Sequence, residues 1–240
     1  RANLNAAAAG STLNLTLDTV GKADAANTVD LGTATAAKAT TLNVAANNAY
    51  VTVDSTQADV ATTLSVAATG TNVLTFTDSA VTAKAVTVTG AGSVDLTGAA
   101  FTAALTSFDA SANTGGVKAD IQSSATAAVK GGSGNDVFDM DTTVTANTTV
   151  DLGAGNDAIY VGAKLASFKS IAGGEGTDLI NITDAATWTA ANSKLISGFE
   201  TLDVSGGKGD YDVSLGGFET VQIDEAVNGA PFYVMGFVDG

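Results

Sequence analysis

The chain has 240 residues, with 10 Lys and Arg against 25 Asp and Glu, a formal net charge of −15, and neither cysteine nor histidine. That balance repels nucleic acid and anionic lipid and attracts cations. It also excludes disulfide staples and thiol chemistry, and it removes the commonest general base and the commonest zinc ligand together. With 45% hydrophobic but only 6% aromatic residues, the composition suits an ordered fold whose narrow interior takes small side chains.

No run of eighteen apolar residues occurs, so no membrane insertion is expected. The first residue is Arg rather than Met and no signal peptide is visible, which reads as a fragment or a processed chain.

Read in chain order, short alternating strands recur at a nearly fixed interval. TLNLTLD at Thr12 and VDLGT at Val29 open the pattern. TLNV at Thr41, TLSV at Thr63 and AVTV at Ala85 repeat it in steps of 22 residues, with YVTVD, VLTFTD and SVDLTG between them. Gly132, Gly153 and Gly174 then stand 21 apart, and GFETLDV at Gly198 and GFETVQI at Gly217 stand 19 apart. Period-two alternation argues strand rather than amphipathic helix. Strands at one constant long interval argue turns that bury their apolar sides only by stacking.

The predicted fold is therefore an all-β, right-handed parallel β-helix or β-roll solenoid of about 20–22 residues per turn. A β-sandwich is the alternative, since its strands also recur regularly. Thr183 to Phe199 is the one stretch that reads as a short helix, with Trp188, Leu195 and Ile196 facing the core. The organisation follows: an Ala/Thr-rich solenoid over 1–129, glycine-rich turns over 130–181, and C-terminal turns with a cap over 182–240. The apolar tail PFYVMGFV at Pro231 reads as a capping strand. Its alternative is a subunit contact through Phe218, Phe232 and Phe237.

The glycine-rich turns carry the chemistry. GGSGNDVFD at Gly131, LGAGNDAIY at Leu152 and GGEGTDLIN at Gly173 set an Asp at one position of each turn: Asp136, Asp157 and Asp178. Glycines accept positive φ and turn the chain tightly, so backbone carbonyls gather beside the carboxylate. The apolar residue two places on (Phe138, Ile159, Ile180) starts a strand and plugs the core. Calcium takes six to eight hard oxygens in flexible geometry, whereas magnesium keeps its water and demands an octahedron. One turn supplies half a shell, so three stacked turns predict two calcium sites with Asp157 serving both. The ligand candidates are Gly131, Ser133, Asn135, Asp136, Gly153, Gly155, Asp157, Gly174, Gly176 and Asp178, with Ala154 and Glu175 as further carbonyl neighbours. Gly206 to Asp212 looks like a fourth copy, but its acids are out of place and Lys208 intrudes, so it reads as a turn without metal.

No catalytic constellation stands out, and the chain is not expected to be an enzyme. Asp139 and Asp141 share a strand face, but Asp224 and Glu225 point apart. No nucleophile elbow or phosphate-binding glycine loop occurs. Asp54, Asp78, Asp95 and Asp109 lie at strand ends and read as solvated charges.

The turn Gly131 to Asp139 matches the nonapeptide GGxGxDxUx of RTX proteins, and the other two are close copies of it. Together with LTSFDASANTGG ahead of VKGGSGNDVF, and GGEGTDLINI ahead of GFETLDVSG, they resemble the RTX-type surface-layer (S-layer) proteins of Gram-negative bacteria. The likeness covers residues 100–225 by motif and the rest by composition. It departs from the family in having three turns, spaced by 21 rather than nine. It implies a protein secreted by a type I exporter and held by calcium in a two-dimensional homo-oligomeric lattice on the cell surface. Polysaccharide or lipopolysaccharide would then be its anchor, a role assigned to no residue. A calcium-dependent adhesin or secreted RTX module, and a polysaccharide-active β-helix enzyme, are the other readings.

Overall fold

The computed structural model describes residues 10, 12–30, 39–54, 62–77, 83–98, 101, 105–122, 128–141, 144, 147–223 and 233–236. Its strands form a parallel β-solenoid. Successive strands alternate between two sheets, so each stacks on the strand two places before it. Among the described residues, one sheet holds nine strands, from Thr12–Asp18 to Ile196–Ser197, and the other holds ten, from Asn27–Asp30 to Thr220–Gln222. The pairings between neighbouring strands are parallel along both sheets. This pattern excludes the β-sandwich, which is built from antiparallel hairpins.

The register follows the repeat. Thr41, Thr63, Ala85 and Ser107 stand opposite one another on successive turns, as do Phe138, Ile159, Ile180, Leu202 and Val221. Because side chains alternate, every second residue of a strand faces inward. Thr41–Asn47 buries Leu42, Val44 and Ala46, and Thr63–Thr69 buries Leu64, Val66 and Ala68 at the matching positions. Burying a Val, Leu or Phe side chain stabilises by roughly 1.5–3 kcal/mol, so each added turn gains from the turn below it. In the middle of the solenoid Phe108 stands edge-on to Phe101 and Phe138 with ring centroids 5.7 and 5.5 Å apart, and further large side chains, among them Phe168, Trp188 and Tyr211, are buried towards the C-terminus.

The helix expected over Thr183 to Phe199 is replaced by two 3-10 turns, Ala185–Thr187 and Asn192–Leu195, and the strand Ile196–Ser197. Local hydrogen bonds explain the replacement. The Asp184 carboxylate accepts the Ala186 N–H at 3.0 Å, and the Asn192 amide donates to the Thr187 carbonyl at 2.8 Å. Both draw the backbone into short turns instead of a continuous helix. Trp188 is buried as expected, donating its Nε1–H to the Asp212 carbonyl at 2.7 Å, whereas Leu195 and Ile196 are half-buried.

The described residues of the C-terminal tail do not extend the two main sheets. Tyr233–Met235 pairs with Asp210–Asp212 in a separate two-stranded sheet. Phe218 is half-buried with its ring 5.6 Å from Trp188. Phe232 and Phe237 lie outside the described residues, as do Asp78, Asp224 and Glu225.

Candidate metal centre

The three glycine turns stack at one corner of the solenoid. Asp136 lies opposite Val117 of the turn before, and Val117 lies opposite Val94, so the position is apolar there and acidic from Asp136 onward. Asp136, Asp157 and Asp178 are 0%, 2% and 0% exposed. Unpaired buried carboxylates are costly, so their partners decide what the corner does.

Each carboxylate reaches back one turn. Asp136 Oδ1 accepts the Val117 N–H at 2.7 Å, Asp157 Oδ1 accepts the Asp136 N–H at 2.7 Å, and Asp178 Oδ1 accepts the Asp157 N–H at 2.8 Å. The second oxygens differ. Asp136 Oδ2 accepts the N–H of Gly132 within its own turn at 2.6 Å. Asp157 Oδ2 and Asp178 Oδ2 are buried without a hydrogen-bond partner.

The backbone accounts for that difference. Gly153, Gly155, Gly174 and Gly176 have positive φ, whereas Gly131, Gly132 and Gly134 do not. The expectation that all three turns rely on left-handed glycines therefore holds for two of them. In the first turn glycine is needed for space instead: a side chain on Gly131 would strike the Leu152 carbonyl and come within 2.6 Å of Asp136 Oδ2. Side chains on Gly153, Gly174 and Gly176 would likewise strike the carbonyls of Gly132, Gly153 and Gly155 one turn away.

The other candidate ligands build the wall of this corner. Ser133 donates its N–H to the Asn113 carbonyl at 3.0 Å, and Gly153 O accepts the Glu175 N–H at 3.0 Å. Ala154 bridges Glu175 from turn to turn. Asn135 and Asn156 line up on the exposed side, where each side-chain oxygen accepts the N–H of the next turn's residue, Asn156 and Thr177, at 2.9 and 3.0 Å. Asn135 thus serves stacking.

The stretch Gly206 to Asp212 makes other pairings: Lys208 bridges Asp184, and Asp210–Asp212 forms one strand of the small separate sheet. The aspartates at other strand ends also behave differently. Asp95 Oδ1 accepts both the N–H and the hydroxyl of Thr97, and Asp109 Oδ1 does the same with Ser111.

Electrostatics separates the two kinds of acid. The Ser111 hydroxyl and N–H hold the Asp109 carboxyl below its ordinary value. Burial pushes the Asp136 and Asp178 carboxyls up. Burial also raises Asp157 to about 7, helped by the neighbouring charges of Asp136 and Asp178 and opposed by the Asp136 N–H.

A divalent cation fits this donor set in one respect: two buried carboxylate oxygens lack donors, and backbone carbonyls crowd the same turns. Among the described residues no three Asp, Glu, His or Cys side chains converge as a metal cluster. Carbonyls would therefore have to complete the shell, as calcium allows.

One acid of this column lies outside the glycine motif. Glu200 stands one turn below Asp178 and takes its N–H on Oε2 at 2.8 Å. The signal was in the alignment of the repeats: Glu200-Thr201-Leu202 is in phase with Asp178-Leu179-Ile180, 22 residues on.

The chain matches no protein-family model, no curated protein and no solved structure.

Proposed function

We propose that the chain is a structural surface-layer protein whose glycine turns bind calcium and so complete a β-solenoid that packs into a lattice outside the cell. The observation that carries the calcium reading is the pair of buried oxygens, Asp157 Oδ2 and Asp178 Oδ2, left without a donor at a corner crowded with carbonyls. Asp157, Asp178 and the carbonyls of their turns would hold the ions. Calcium would supply the positive charge that those carboxylates lack.

A chain of net charge −15 without disulfides resists compaction until cations neutralise it. Calcium that prefers the folded state turns binding energy into folding energy. In a low-calcium cytoplasm the chain would stay open for export, and it would fold outside where calcium is abundant. The lattice reading draws support from the exterior of the solenoid, where small hydroxyl, amide and methyl side chains repeat in register from turn to turn. Such faces offer many weak repeated contacts.

The test is to strip the chain with EGTA, add calcium, and follow circular dichroism together with light scattering and electron microscopy. Gain of β-structure with ordered sheets is the expected result. Folding without assembly would replace the lattice by an adhesin or secreted module. The absence of any response to calcium would overturn the metal reading.

A further inference from the structure

The acidic column continues past the third glycine turn, into a turn that has no glycine motif. Glu200 lies on the residue pair next to Leu179 and Thr201, which face each other in register. Its Oε2 accepts the Asp178 N–H at 2.8 Å, the same bond that each aspartate makes to the turn before it. Asp178 is fully buried and its Oδ2 has no donor. Both that oxygen and the Gly198 carbonyl press on Gly173: a side chain there would strike Gly198 O and come within 2.6 Å of Asp178 Oδ2. The Asp178 and Glu200 side chains thus form adjacent acids beside a carbonyl, and no Lys or Arg pairs with either one among the described residues.

Two adjacent carboxylates, one of them buried, need a counter-charge. Backbone N–H groups supply one hydrogen bond to each, which leaves Asp178 Oδ2 unserved.

We propose that Glu200 is a calcium ligand, closing from a fourth turn the ion held by Asp178 Oδ2 and the Gly198 carbonyl. The assignment rests on the calcium reading of the glycine turns and extends it. The ion is then shared between the last motif turn and the strand Thr201–Asp203, so calcium fastens the C-terminal turns to the rest of the solenoid. Glutamate suits the position: the turn ahead of Glu200, Ile196 to Phe199, lacks the paired glycines that bring an aspartate close, and one extra methylene spans the difference.

The test is isothermal titration of the EGTA-stripped full chain with calcium chloride, comparing wild type, Asp178→Asn and Glu200→Gln. Asp178→Asn is expected to remove one ion. Glu200→Gln is expected to weaken that same ion about tenfold or more, since the number of ligand charges tunes calcium affinity, and to leave the remaining binding unchanged. Loss of the ion in Asp178→Asn with wild-type binding in Glu200→Gln would overturn the role of Glu200 alone. No binding by wild type would overturn the reading of the turns themselves. Should Glu200→Gln fail to fold, amide exchange of wild type decides. Calcium is expected to slow exchange across residues 199–204, and unchanged exchange there, with slowing at 153–178, would contradict the proposal.

Discussion

Two regions of this solenoid bury polar side chains at their corners, and they solve the problem with different chemistry. In the N-terminal half the buried group is an amide. Asn72 accepts the Ala49 N–H on Oδ1 and donates Nδ2 to the carbonyls of Thr69 and Ser93, each at 3.0 Å. Asn113 accepts the N–H groups of Gly115 and Gly116 and donates to the Gly92 carbonyl. An amide carries both donors and an acceptor, so it can satisfy N–H groups and carbonyls of neighbouring turns by itself. In the glycine turns the buried group is a carboxylate, which only accepts. The N–H ladder serves one oxygen of each aspartate, Gly132 serves the second oxygen of Asp136, and the second oxygens of Asp157 and Asp178 have no donor. The amide corners are complete as they stand, whereas the corners of Asp157 and Asp178 each leave one oxygen unserved, which is the basis of the proposed cation.

Chelation should split the two regions most clearly. At calcium a hundredfold above its dissociation constant, one bound ion stabilises by about 2.7 kcal/mol. In a chain of this size that corresponds to a melting shift of roughly 5–10 °C. EGTA is therefore expected to lower Tm by at least that much in differential scanning calorimetry. Hydrogen exchange should rise first across residues 131–203 and least across 41–98.

Converting an amide corner is expected to come next. Asn72→Asp removes the donors to Thr69 and Ser93 and sets an acceptor against two carbonyls, a loss of about 1–3 kcal/mol by chemical denaturation. Calcium should restore none of that loss if the glycine turns are the specific site. Recovery in calcium would show that any buried carboxylate in this fold recruits the ion.

The converse exchange, Asp157→Asn, supplies the missing donor. In EGTA the variant should melt no lower than wild type, while its gain in Tm on adding calcium should fall to about half or less. An undiminished calcium response would remove Asp157 from the site.

The smallest effect concerns pH. Burial holds the Asp157 carboxyl near 7 in the folded chain, well above its ordinary 3.8. Between those values the folded state binds the proton and the unfolded state does not. The contribution is therefore fully present below about 4 and lost as pH rises through about 7. In EGTA, the difference in Tm between wild type and Asp157→Asn should move against wild type over that range. A difference flat in pH would mean that Asp157 is charged throughout.

The architecture was legible because each strand repeats its inward residues at a constant interval. Leu42 and Leu64, or Phe138, Ile159 and Ile180, face each other because the sequence period equals one turn of chain. The aspartate column was legible for the same reason. What stayed hidden depends on local backbone geometry. The motif looks alike in all three turns, yet Gly132 turns its N–H onto Asp136 while Gly153 and Gly174 adopt positive φ, so equal letters leave unequal oxygens. The 3-10 turns around Trp188 arise from side chains competing for backbone groups, which apolar spacing does not report. Glu200 was hidden because its turn lacks glycine pairs, although its phase with Asp178 was present in the repeat.

The most direct measurement is a crystal structure of the chain grown in calcium chloride, with anomalous difference density examined beside Asp157 and Asp178. Ions coordinated by Asp157 Oδ2 and Asp178 Oδ2 at about 2.3–2.6 Å are expected. Both oxygens instead hydrogen-bonded to backbone carbonyls as protonated carboxyls, with no anomalous density at the corner, would contradict the calcium-bound solenoid.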